Sequence, residues 1–102
     1  MSRRYVLAPQ AAADLAEIWR YIKGQSSVST AERVESVIRE RIVFLSRNPE
    51  AGHWRKDLTS YRVKFFPVYS YLIVYRPNTD PLQVVSILHG RRDVENLLRE
   101  SP

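Results

Sequence analysis

A chain of 102 residues with 44% hydrophobic and 26% charged side chains has the composition of one soluble globular domain. The absence of cysteine excludes disulfide bonds and thiol nucleophiles, and no apolar run reaches the ~18 residues that a membrane span needs. The net charge of +5 favours an acidic partner.

The N-terminal part reads as a short strand, at residues 4–7, followed by a helix. Ala8 and Pro9 open this helix, because proline is tolerated in a first helical turn. Its apolar residues recur at i, i+3, i+4 and i+7 and form one stripe made of Leu15, Ile18, Trp19 and Ile22. We expect this stripe, with Trp19 in it, to face the core and Gly24 to end the helix.

A second helix is predicted to begin near Ser29, where residues 29–32 have the spacing of a capping box. Its apolar stripe consists of Val34, Val37, Ile38, Ile42 and Leu45. Asn48 precedes Pro49, and the residue before a proline disfavours helical geometry, so the helix should stop there. The short polar link at residues 24–28 predicts an antiparallel hairpin of the two helices.

The period then changes to two, which predicts strands. Tyr61, Val63 and Phe65 alternate with basic residues, a break is expected around Pro67, and residues 69–76 are rich in aromatic and β-branched side chains. Residues 77–81 form a turn by composition, and residues 83–89 are nearly continuously apolar, as in a central strand. A short helix is predicted over residues 93–99. The expected fold class is α+β: an N-terminal strand that joins a sheet edge, a two-helix hairpin, and an antiparallel three-stranded meander.

Positive charge is concentrated in the second half of the chain. Between Gly52 and Arg92 there are seven lysines and arginines and only two carboxylates. Arginine presents a planar fork of donors that suits phosphate and carboxylate groups. We therefore expect the partner of this half to be acidic, although a solvated basic face without a partner is the alternative.

The order of these elements resembles the RelE/ParE superfamily of toxins from type II toxin-antitoxin systems. The resemblance extends over residues 5–98 and is closest to the ParE branch, whose members are often called plasmid stabilization proteins. It is carried by Leu7-Ala8-Pro9, Ala13-Asp14-Leu15 with Ile18, Leu45 with Asn48-Pro49 and Gly52, residues 55–58, Tyr61-Arg62, residues 71–76, and Ile87-Leu88-His89-Gly90-Arg91-Arg92-Asp93.

The resemblance implies one of two toxic activities, or a third state without toxicity. ParE-like members poison DNA gyrase and block replication without cleaving nucleic acid, whereas RelE-like members are ribosome-dependent mRNA endonucleases. In the endonuclease alternative His89 would be the acid-base residue, with Arg62 and Arg91 holding the phosphate. Otherwise His89 is a partly buried structural residue. A homologue that only forms a complex is the third alternative.

The resemblance also implies partners. A cognate antitoxin with an acidic, partly disordered C-terminal segment would bind the helix hairpin, and operator DNA would be reached only through that antitoxin. Antitoxin-binding residues are predicted to be Trp19, Arg20, Arg33, Arg41 and Arg76. Residues predicted to bind the toxic target are Trp54, Arg55, Arg91, Arg92, Leu97 and Leu98.

Some aromatic residues keep two interpretations. Trp54 stands in a basic segment, where it either anchors a partner or packs within its loop. Four tyrosines either stack nucleic-acid bases or pack under the helices and line an antitoxin-binding strand, namely Tyr61, Tyr69, Tyr71 and Tyr75. We expect a single domain over residues 1–102, no cofactor, no metal site and, since residues 1–10 lack a signal-peptide core, a cytoplasmic location.

Overall fold

The computed structural model describes residues 4–90, and the predicted helix at 93–99 lies outside them. The elements in chain order are β1 (Tyr5–Leu7), α1 (Pro9–Gln25), α2 (Val28–Arg47), a 3-10 turn (Pro49–Ala51), β2 (His53–Trp54), β3 (Lys64–Val68), β4 (Tyr71–Arg76) and β5 (Leu82–His89). Within this part of the chain, neither helix is long and apolar enough to cross a membrane.

The strands form one sheet in the order β1-β5-β4-β3-β2. The meander β3-β4-β5 is antiparallel throughout, while β1 runs parallel to β5 at one edge. The predicted α+β fold, with its helix hairpin and its N-terminal edge strand, is confirmed. The short strand β2 at the other edge was not predicted, because two residues are too few to show a period.

Apolar residues fill both faces of the sheet. The main core lies between the helix hairpin and one face, where Leu15, Ile38, Ile73 and Tyr75 are almost completely buried. A smaller cluster lies on the other face and comprises Leu58, Val63, Phe65 and Val74. Leu58 and Val63 belong to the segment between β2 and β3, so this segment is held against the sheet by its own apolar side chains.

The strand predicted to start at Tyr61 begins only at Lys64, and the break predicted around Pro67 is absent. Pro67 lies inside β3, opposite Leu72. It is tolerated there because β2 pairs only with the first two residues of β3, so the missing N–H of Pro67 costs no sheet hydrogen bond on that edge. The chain turns instead at Tyr69, which adopts a φ of 55°.

The start of α2 and the end of α1 also differ from expectation. The helix α1 continues through Gly24 to Gln25, and α2 begins at Val28 with Ser27 as its N-cap. The Ser27 hydroxyl accepts the Thr30 backbone N–H at 3.1 Å. The predicted capping box therefore lies two residues too late, because Ser27 and Ser29 both have the right chemistry and only the backbone geometry separates them.

Replacing Ser27 with alanine should lower the free energy of unfolding by about 1 kcal/mol, because the Thr30 N–H loses its acceptor. The matched change Ser29→Ala should alter it by no more than a few tenths, since alanine is the better helix former. Urea unfolding followed by circular dichroism measures both. A larger loss in Ser29→Ala than in Ser27→Ala would place the cap at Ser29 instead.

A β-bulge in β5 decides which side chains face the helices. Val74 pairs with Ser86 and Tyr75 pairs with Val84, so Val85 has no opposite residue on β4. Consequently Val85 packs with the smaller cluster while Ile87 belongs to the main core. In an uninterrupted strand Val85 and Ile87 would lie on the same side, but the bulge interrupts the alternation and separates them.

Candidate functional site

A concave surface of about 520 Å³ lies over the segment that joins β2 to β3, and we call it the Trp54 surface. It is lined by Trp54, Arg55, Lys56, Thr59, Ser60, Tyr61, Arg62 and Val63. The edge strand β2 supplies the tryptophan, and the following segment supplies the other residues. This surface joins two residues predicted to bind the target, Trp54 and Arg55, with the phosphate-binding candidate Arg62.

Trp54 is held in place from the sheet side. It pairs with Lys64 across the β2-β3 ladder, and its ring lies 5.1 Å from the Lys64 ammonium, a distance typical of a cation–π contact. The same ammonium donates a hydrogen bond to the Glu50 carbonyl at 3.2 Å. The ring nevertheless remains 46% exposed, so its position is fixed while much of its surface is left open.

Tyr61 projects outward from an anchored turn. Its backbone N–H donates to the hydroxyl of the buried Thr59 at 3.1 Å, and its carbonyl accepts the Val63 N–H at 2.9 Å. Leu58 and Val63 on either side are buried. The Tyr61 side chain is 73% exposed, which for a large ring on a tied-down backbone marks a position open to a partner.

The cations of this surface differ in availability. Arg55 donates two hydrogen bonds to Asp57, at 3.0 and 2.9 Å, and these bonds hold the pKa of that carboxyl below its ordinary value. The fork of Arg55 is thus already occupied. Lys56 and Arg62 are exposed, and neither forms an ion pair within residues 4–90. The positive charge offered to a partner therefore comes mainly from Lys56 and Arg62.

A second surface, which we call the hairpin groove, lies between the two helices and has a volume of about 390 Å³. Its lining consists of Leu7, Ala12, Leu15, Ala16, Trp19, Arg20, Glu35 and Arg39. Trp19 is only partly buried here, with the Lys23 ammonium 5.6 Å from its ring. The expectation that Trp19 lies in the core is wrong, because its position on α1 falls at the margin of the stripe, toward the neighbouring helix.

Arg39 is a cation of the hairpin groove whose side chain is held in place by hydrogen bonds. It was not among the predicted site residues. It donates to Glu35 at 3.0 Å and to the Tyr5 hydroxyl at 3.1 Å. Burial alone would lower the pKa of Arg39, but the hydrogen bonds and the electrostatic attraction of Tyr5 and Glu35 together outweigh it, and the net shift is upward. The i, i+4 spacing of Glu35 and Arg39 was the available signal.

The structure brings together only some of the predicted antitoxin-binding residues. Trp19 and Arg20 line the hairpin groove, whereas Arg33, Arg41 and Arg76 are exposed and are not part of its lining. Among the predicted target-binding residues, Arg91, Arg92, Leu97 and Leu98 lie outside the described residues.

His89 lies in a third pocket, of about 250 Å³, which is lined by Asp14, Glu17, Ile18, Tyr21, Tyr71, Ile87 and His89. Its ring contacts Tyr71 and Tyr21 edge-on, at centroid distances of 5.2 and 6.3 Å. Two carboxylates line this pocket and neither lysine nor arginine does so within the described residues, which does not suit a phosphate group.

Asp14, which also lines this pocket, connects α1 to the sheet. Its position in the sequence of α1 did not indicate this role. Its carboxylate accepts the Ser86 hydroxyl at 2.8 Å and the Ile87 backbone N–H at 2.9 Å. A third hydrogen bond comes from the Gln10 amide at 2.7 Å. The bonds from Ser86 and Ile87 attach α1 to β5 beside the bulge, where the strand ladder is interrupted, and the Gln10 bond lies within α1.

His89 and Arg62 are not close neighbours. His89 lies opposite Tyr71 at the start of β4, and Lys64 lies opposite Tyr75 near its end. Four residues of strand span about 13 Å, and Arg62 lies beyond Lys64. An acid-base residue and its phosphate-binding cation must act within a few ångströms of the same atoms. His89 and Arg62 accordingly line different pockets, Arg91 lies outside the described residues, and the endonuclease set stays a prediction.

Comparisons of this chain with known protein families, sequences and structures agree with one another. Residues 5–94 match the family model described as ParE toxin of type II toxin-antitoxin system, parDE. Toxin ParE1 of Mycobacterium tuberculosis, from two strains, is 32% identical over 100 residues, which covers 96% of this chain and 100% of that protein. A chain from the chromosomal ParDE TA system of P. aeruginosa has the same fold, with a TM-score of 0.73 at 17% identity over 88% of this chain and 98% of that one.

Proposed function

Since the chain belongs to the ParE toxin family of type II toxin-antitoxin systems, we propose that it poisons DNA gyrase and so blocks replication. We further propose that a cognate antitoxin neutralises it by direct binding, in the cytoplasm, and that the toxin reaches operator DNA only through that antitoxin. The family assignment confirms the resemblance to the ParE branch that the sequence suggested. The proposal adds DNA gyrase as the toxic target and an antitoxin as the neutralising partner.

The observation that carries the gyrase proposal is the composition of the Trp54 surface. Tryptophan, tyrosine and arginine are the residues that most often dominate binding energy at protein interfaces. Here Trp54 and Tyr61 expose rigid rings beside the cations Lys56 and Arg62. Such a surface suits an acidic partner with apolar pockets. His89, the histidine of the endonuclease alternative, is not part of its lining, so the surface favours binding over cleavage.

The hairpin groove supports the proposed antitoxin contact. Alanines at positions 12 and 16 leave room between the helices, and Trp19 borders that space. An amphipathic helix can insert its apolar side chains into such a groove while its acidic residues meet Arg20 and Arg39. We propose the groove as the site where the antitoxin docks.

A plasmid assay with purified gyrase tests the proposed target. We expect the protein to inhibit supercoiling and to make cleaved DNA accumulate, and we expect prior addition of the antitoxin to prevent both. The double variant Trp54→Ala/Arg62→Ala should lose most of this effect while keeping its circular dichroism spectrum.

A matched control is the double variant Arg4→Ala/Arg47→Ala, which removes two exposed cations outside all three pockets. It should act on gyrase as the unmodified protein does. If the folded protein leaves gyrase unaffected, the target proposal fails, and cleavage of mRNA on added ribosomes would then support the endonuclease alternative.

A further inference from the structure

We propose that the Trp54 surface binds single-stranded DNA directly. The choice of DNA as the nucleic acid rests on the proposed function.

The exposed cations on this surface favour a ligand that carries several negative charges. Lys56 and Arg62 are exposed and form no ion pair within the described residues, although Arg55 is already bonded to Asp57. Lys64 stands behind the Trp54 ring and adds a third, buried cation. A chain of phosphates can meet Lys56 and Arg62 together, and arginine binds phosphate with two parallel hydrogen bonds.

The exposed rings favour nucleic acid over an acidic peptide. Trp54 and Tyr61 are 46% and 73% exposed, and both line the same concave surface. Acidic side chains of a peptide would satisfy the cations, but separate apolar side chains at matching positions would have to cover the ring faces. Nucleic-acid bases cover them by stacking, and proteins that bind single strands combine such rings with cations along the backbone.

The same rings favour a single strand over a duplex. In a duplex the faces of the bases are stacked on one another, so they are not available to a protein ring. The segment that carries Tyr61 is anchored through Thr59 and two buried apolar neighbours, and the Trp54 ring is held by Lys64. Two rings that are already in position lose little conformational freedom when a flexible strand stacks on them.

Binding at this surface should leave the strand intact. Among the described residues, its lining holds one tyrosine, two arginines and one lysine, and it contains no histidine, aspartate or glutamate that would serve as an acid-base pair at neutral pH. The proposal therefore predicts a complex without cleavage products.

Fluorescence anisotropy of a labelled oligothymidylate of roughly ten nucleotides tests the proposal, since that length is within the range of known single-strand sites. We expect Lys56→Ala/Arg62→Ala to weaken binding about tenfold or more and to reduce the slope of log K against log salt by about 1.4, which corresponds to two lost phosphate contacts. Tyr61→Ala should also weaken binding about tenfold. The control Arg4→Ala/Arg47→Ala should weaken it much less.

Trp54 supplies an independent readout of stacking. The chain has two tryptophans, so Trp19→Phe leaves Trp54 as the sole tryptophan, which can be excited apart from the tyrosines at long wavelength. Its fluorescence should be quenched as the oligonucleotide is added. The unmodified oligonucleotide should be recovered intact from the complex.

Several results would overturn the proposal. They are no binding at low salt, an equal loss in the Arg4→Ala/Arg47→Ala control, tighter binding of a duplex or an oligouridylate of the same length, or tighter binding of polyglutamate with the same dependence on Lys56 and Arg62. The last result would assign the surface to a protein partner. The assay contains no gyrase, so the gyrase proposal and this one can fail separately.

Discussion

Replacing Tyr75 with phenylalanine should lower the free energy of unfolding by about 2–4 kcal/mol, because two buried backbone groups lose their partner. The Tyr75 hydroxyl donates to the Pro49 carbonyl at 2.8 Å and accepts the Gly52 N–H at 2.9 Å. Burial raises the pKa of this hydroxyl above its ordinary value of 10.0, so the proton that it donates is retained at physiological pH. Urea unfolding followed by circular dichroism measures the loss.

The matched control is Tyr61→Phe, since that hydroxyl lies on a ring that is 73% exposed. It should change stability by no more than about 0.5 kcal/mol. If Tyr75→Phe unfolds at the same urea concentration as the unmodified protein, the two hydrogen bonds do not contribute to stability.

The same contact explains why residue 52 is glycine. Its φ of −78° is open to any residue, so conformation does not require glycine there. The lack of space requires glycine instead, because a Cβ at this position would run into the Tyr75 hydroxyl and lie 3.0 Å from the Phe65 carbonyl oxygen. The contact holds the chain immediately before β2, which carries Trp54. A weakened contact should therefore also disturb the Trp54 surface.

Replacing Trp19 with alanine should weaken antitoxin binding at least about thirtyfold, since buried tryptophans at interfaces commonly contribute about 2 kcal/mol or more. Trp19 borders the hairpin groove and is only partly covered by the protein itself. An incoming apolar side chain would complete its burial. Isothermal titration calorimetry with the cognate antitoxin measures the change.

Phe44→Ala provides the comparison, because Phe44 is an aromatic residue of α2 that is 44% exposed and does not line the groove. Its loss should leave the affinity nearly unchanged. Equal affinities of folded Trp19→Ala and unmodified protein would place the antitoxin elsewhere, and Arg33, Arg41 and Arg76 would then be the next residues to test.

Sequence patterns predicted the helices and strands in which they repeat over many residues. They failed where several local conformations fit the sequence equally well. The period of the two helices and the apolar run of β5 were sufficient to predict those elements, because burial of one face repeats along many residues. Pro67 was read as a break, since its tolerance depends on how short its neighbour β2 is. The face of the sheet on which Val85 lies depends on a bulge, and the position of that bulge is set by pairing with β4.

The candidate site was predicted in part. Trp54, Arg55 and Arg62 were recognised from their residue types, and the structure places them on one surface. The bond between Arg55 and Asp57 was not predicted, and it leaves Lys56 and Arg62 as the available cations. Arg39 and Asp14 were missed, since their partners Tyr5, Ser86 and Ile87 are far away in the sequence.

Four properties could be predicted from the sequence alone: the α+β class, the helix hairpin, the excess of positive charge in the second half and the family resemblance. These properties are sums or repeats along the chain, so they need no knowledge of distant contacts. Three relations could be read only from the folded chain: Arg62 and His89 line different pockets, Trp19 borders a groove, and Tyr75 holds the chain before Trp54. Those relations arise from strand register and packing between residues distant in sequence, which composition and periodicity do not encode.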